Sequence, residues 1–166
     1  MRKTALLCVL AFAGAIAGAS SQAGTAASDD GCLVVAAGRG IFSVNAKGFV
    51  FGRFDQGLVD IEDPIQADGQ VRVFGYEKKR LLTDTKTRYI GQSVRFRASG
   101  LFRLRIEAVG IDLSLAGKGA ATLSSDNFFD AGEYSIDSPS YCEAQFQPVP
   151  DVPRKVVIAA QGQGTP

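Results

Sequence analysis

The chain has 166 residues, 46% of them hydrophobic, with 18 basic and 17 acidic side chains and no histidine. Such a balance argues against nucleic-acid binding, which favours a basic domain. The missing histidine removes Ser-His-Asp and Cys-His nucleophile arrangements and the commonest zinc ligand. Chemistry, if any, must rest on carboxylates, lysine or tyrosine, and no cofactor is expected.

At the N-terminus Arg2 and Lys3 precede an apolar run over 5–19 that ends in Ala17-Gly18-Ala19. A charged start, a short apolar segment and small residues describe a signal peptide at 1–19. The run falls short of the roughly 20 residues that span a bilayer. No second run of that kind follows, so no transmembrane segment is expected. Localisation is then secreted, or periplasmic and cell-envelope. Cleavage leaves 147 residues with a formal net charge of −1, enough for one domain. The small, polar stretch 20–30 reads as a flexible leader, and 31–147 as a β domain. The remainder, 148–166, is a Pro/Gly-containing tail. Pro148, Pro150 and Pro153 exclude a central strand there, while 155–159 can pair at an edge.

Short alternating runs predict strands at 49–54, 58–61, 70–73, 94–98, 101–108, 111–115 and 132–136. The stretch 101–108 is clearest: Phe102, Leu104, Ile106 and Ala108 share one face, Arg103, Arg105 and Glu107 the other. Glycines keep a beat through this pattern, at Gly31, Gly40, Gly48, Gly57 and again at Gly91, Gly100, Gly110, Gly119. Hairpin turns explain the beat, and duplication of a four-strand meander is an alternative. The predicted fold is all-β, an antiparallel meander forming a single sandwich or barrel.

Cys8 goes with the signal peptide, leaving Cys32 and Cys142. An even pair in an exported chain predicts a disulfide that ties the domain's two ends together. Asp126-Asn127-Phe128-Phe129-Asp130 fails as a calcium loop, because Phe128 and Ala131 stand where a ligand and a glycine are needed. Gly117-Lys118-Gly119 and Gly38-Arg39-Gly40 lack the rest of a phosphate or dinucleotide loop. Asp60 and Glu62, with Asp63 beside them, offer a carboxylate pair for a hydrolase or a cation site. The competing reading is a solvated strand end before Pro64.

Charge segregates along the chain. Between 70 and 105 ten basic residues face only Glu77 and Asp84, whereas from 106 to 153 Lys118 alone opposes eight carboxylates. A three-residue loop at Ser99-Gly100-Leu101 would set Arg97 opposite Arg103 and Arg95 opposite Arg105. Like charges directly opposite destabilise a sheet. Either an anionic ligand then binds this ladder, or acidic strands of the same chain flank it. Glu107 and Asp112 are the neighbours that decide.

The stretch 91–123, with Val94-Arg95-Phe96-Arg97 and Leu101-Phe102-Arg103-Leu104-Arg105, resembles an uncharacterised group of small exported proteins from high-GC bacteria, the actinobacteria among them. The resemblance implies a bacterial source and a β-rich fold, and brings no active site. The expectation is therefore an exported, non-enzymatic binding or structural module of the bacterial envelope. Its anion site is Arg95, Arg97, Arg103 and Arg105, and its partner an anionic envelope polymer or a lipid headgroup. A protein-interaction domain with internally neutralised arginines, and a carboxylate hydrolase using Asp60 or Glu62, are the alternatives.

Overall fold

The structure is a computed structural model that describes residues 30–126, 131–137 and 145–159. It is all-β and antiparallel. Two long strands dominate, β1 (Gly31–Glu62) and β4 (Lys86–Ser124), joined by the short β2 (Val71–Phe74) and β3 (Lys78–Leu81). β5 (Glu133–Asp137), β6 (Gln147–Pro148) and β7 (Arg154–Ile158) complete one hydrogen-bonded sheet. The expected signal peptide, nearly all of the leader and Cys142 lie outside the described residues.

The long strands are neither straight nor paired once. Ile41 pairs with both Glu107 and Ser124, Gly48 with Gly100 and Gly117, and Glu62 with Lys86 and Arg103. Each pair of partners is 17 residues apart. β1 and β4 thus form a two-stranded ribbon that winds round and hydrogen-bonds to itself after each turn. At about 3.3 Å per residue, one turn measures about 56 Å.

The two long sides of this coil are the layers of a sandwich. In the first layer the neighbours run β3, 86–90, 58–62, 103–107, 41–45, 120–124, β7. In the second they run β2, 95–98, 50–53, 112–115, 31–35, β5, β6. Inward side chains from both layers, among them Phe42, Leu104 and Leu123 from the first and Val50, Phe96 and Leu115 from the second, form one core. Phe102, Leu104, Ile106 and Ala108, expected on one face, are all buried, and Phe96, Ile111 and Leu113 join them.

The glycine beat marks corners, not hairpins. Gly48 and Gly117 face each other where the ribbon passes between layers, with φ of +153° and +148°. A side chain on Gly48 would strike the Ala116 carbonyl, and one on Gly117 the Lys47 carbonyl. The two glycine arrays echo each other because both arms of one ribbon turn the same corners. At Ala37, Ser93 and Gly110 the backbone adopts positive φ, and such local irregularities switch which parity faces the core. Leu33 and Val35 point inward before Ala37, Phe42 and Val44 after it.

The coil overturns the expected arginine register. No turn exists at Gly100; residues 91–109 run on within β4. Arg97 lies opposite Phe51 and Arg72, and Arg95 opposite Arg53 and Phe74. Arg103 lies opposite Asn45 and Glu62, and Arg105 opposite Ser43 and Asp60. The four arginines therefore occupy two different outer faces. Their alternation was right, but alternation specifies a face and not a partner.

Candidate functional site

On the first layer's outer face the arginines meet carboxylates. Arg88 donates two hydrogen bonds to Asp60, at 2.6 and 2.9 Å, and Lys86 stands 3.7 Å away. Arg103 donates to Glu62 at 2.9 Å, and Arg105 approaches Glu107 at 3.8 Å. Asp60 is only 3% exposed. Its burial pushes the carboxyl pKa up, but Arg88 bonding and the charges of Arg88, Lys86 and Arg105 together outweigh this and hold it below the usual carboxylate range. The bond to Asp60 in turn raises the Arg88 guanidinium. A hydrolase acid needs the opposite shift, so that it stays protonated near neutral pH. Asp60 and Glu62 are ion-pair anchors here, and among the described residues no three metal-ligating groups gather.

The second layer's outer face is different. Adjacent strands set Arg72, Arg97, Phe51, Ser114 and Val34 in one row, and Phe74, Arg95, Arg53 and Asp112 in the next. Rows of this kind advance about 4.8 Å per strand. Four arginines thus share this patch with Asp112. That carboxylate is already engaged: it accepts a hydrogen bond from Arg53 Nε at 2.7 Å and from the Ala37 amide at 2.8 Å. The hydrogen bond to Asp112, then its charge, raises the Arg53 guanidinium. Arg72 donates to the Gln70 amide oxygen at 3.3 Å. Among the described residues Arg95 and Arg97 make no ion pair or side-chain hydrogen bond.

Between these cations lies an open groove of about 680 Å³, lined by Phe51 and Phe74 together with Arg53, Arg95 and Arg97. Both phenylalanines are half exposed, at 51% and 52%. Phe49 extends the apolar surface by an edge-on contact with Phe51, ring centres 4.5 Å apart. The volume falls within the range of small-molecule sites, which combine apolar walls with a few placed polar groups.

Of the expected site residues, Arg95 and Arg97 come together at this groove, while Arg103 and Arg105 lie across the sandwich. Cys32 is buried at the head of β1, and its expected partner Cys142 lies outside the described residues. Sequence reasoning missed Arg53, Arg72, Phe51 and Phe74. One signal was present: Phe49, Phe51 and Arg53 alternate with Val50, Gly52 and Phe54, so this strand is apolar on both faces. Such a strand has aromatic side chains to spare for its outer surface.

No protein-family model, curated protein or solved structure matches the chain. Among the described residues no helix is long and apolar enough to cross a membrane.

Proposed function

We propose that this chain is an exported, non-enzymatic binding module that holds an anionic amphiphile of the lipid-headgroup kind. Arg95 and Arg97 take the head, and the Phe51–Phe74 groove takes the adjoining apolar chain. One observation carries the reading. Arg95 and Arg97 stand opposite Arg53 and Arg72 beside an exposed apolar groove, and among the described residues no carboxylate bonds to Arg95 or Arg97. Like-charged cross-strand pairs cost a few tenths of a kcal/mol up to about 1 kcal/mol each. A bound oxyanion would remove that repulsion and accept paired guanidinium bonds. A bare polymer would use the charges but leave the aromatic surface in water.

Alkyl phosphates test this reading. Burying one methylene contributes about 0.8 kcal/mol, roughly a fourfold gain in affinity. Binding should therefore strengthen steeply from butyl to octyl phosphate and level off once the groove is filled. Calorimetric titration of the full chain measures it. Affinity independent of chain length, matched by inorganic polyphosphate, would replace the amphiphile with a polymer and overturn the proposal.

A further inference from the structure

We infer that the first layer's outer face carries a second, separate anion site, suited to an acidic saccharide. The register aligns Arg88, Asp60, Arg105, Ser43, Thr122 and Lys155 in one row across six neighbouring strands. A cleft of about 400 Å³ opens along it, lined also by Asn45, Glu62, Lys86 and Arg103. Most charge here is committed. Arg88 and Lys86 hold Asp60, and Arg103 holds Glu62. Two cations remain available: Arg105, whose contact with the half-exposed Glu107 is 3.8 Å long, and Lys155, exposed on β7 and without an ion pair among the described residues.

Arg105 and Lys155 are three strands apart, about 14 Å at ordinary sheet spacing, and the side chains between them are the hydroxyls of Ser43 and Thr122. Beside that row Asn45 adds an amide. A cation at each end of a hydroxyl and amide floor fits a ligand that carries oxyanions on a hydroxyl-rich chain. No exposed aromatic side chain lines this cleft, in contrast to the groove on the other face, so an alkyl tail would gain nothing here. The two sites are separated by the core, and neither needs the other.

The test uses the full chain with three hexasaccharide probes: galacturonate, sulfated dextran and neutral dextran. NMR or calorimetric titration at about 20 and 150 mM salt gives the affinities. The acidic probes should bind, the carboxylate and sulfate arms showing which oxyanion is preferred, and salt should weaken both because exposed charges are screened. Neutral dextran should not bind. Arg105→Gln with Lys155→Gln should reduce acidic-probe affinity at least tenfold, while Arg95→Gln with Arg97→Gln leaves it unchanged. Lys155→Gln alone, on an exposed edge-strand position, should produce a smaller loss with an unaltered thermal midpoint, so a fold defect cannot mimic the result. Failure of both acidic probes to bind, equal binding of the neutral one, or loss that follows Arg95 and Arg97 instead, would overturn the inference.

Discussion

The two outer faces of the sandwich are built from the same two strands, yet they handle positive charge in opposite ways. On the first face each arginine of 86–107 has a carboxylate within reach, because Asp60 and Glu62 on β1 stand beside Arg88, Arg105 and Arg103. On the second face β1 presents Phe51 and Arg53 at the corresponding outward positions, so Arg97 and Arg95 meet an aromatic ring and a like charge. The strands are continuous and the core is shared. Only the composition of the neighbouring turn of ribbon differs. That difference separates a face whose arginines are mostly committed to carboxylates from one whose arginines stand beside an apolar groove.

Loss of a disulfide should touch both faces equally and with the largest effect. Cys32 pairs in register with Asp137, five positions before Cys142 in the sequence, so a Cys32–Cys142 bridge would close a loop of over a hundred residues. Its loss should cost about 4 kcal/mol in the chain-entropy account. Thermal midpoints with and without reductant, beside peptide mapping of the non-reduced chain, check this; a Cys142 that alkylates without reduction would refute the pairing.

Next in size is the anchor carboxylate of each face. Asp60→Asn leaves Arg88 and Lys86 without their buried partner and should cost about 2 kcal/mol. Asp112→Asn, on the more exposed pair with Arg53, should cost less, about 1 kcal/mol or under. Denaturant melts of both variants rank them, and an equal loss would erase the contrast between the faces. The pH dependence follows from the sign of the shift. Asp60 has a folded-state pKa below its unfolded one, so its contribution is complete above the ordinary carboxylate range, near pH 4 and up. It is lost as pH falls through the depressed folded value. Stability of the wild type should therefore drop on acidification below about pH 4, and Asp60→Asn should flatten that drop.

Much of this architecture was legible in the sequence. Alternation located the strands at 49–54, 94–98, 101–108 and 111–115, and it assigned the inward and outward sides of the 101–108 stretch correctly. The coil was not legible, because a glycine at a strand corner and a glycine in a hairpin turn meet the same local demand for positive φ or close backbone approach. Choosing between them requires knowing that Gly48 meets both Gly100 and Gly117, a contact between residues more than 50 positions apart. The strand segment at 86–90 and β3 also escaped notice. Lys78, Lys79 and Arg80 are exposed along β3, and so polar an edge strand offers no apolar alternation to read. Once the turn at Gly100 was misplaced, the arginine pairing followed it, joining Arg97 to Arg103 where the fold joins it to Phe51 and Arg72.

The smallest expected change in stability accompanies the largest expected change in function. Arg95→Gln with Arg97→Gln removes two cations, neither ion-paired among the described residues, from beside Arg53 and Arg72, so the thermal midpoint should hold steady or rise slightly as like-charge repulsion is relieved. The most direct measurement pairs that midpoint with the octyl phosphate affinity of the same double variant. Affinity lost at least tenfold with an unchanged or higher midpoint is the predicted result. A lowered midpoint with octyl phosphate binding intact would mean that these arginines serve the fold and that the open face is not the binding face.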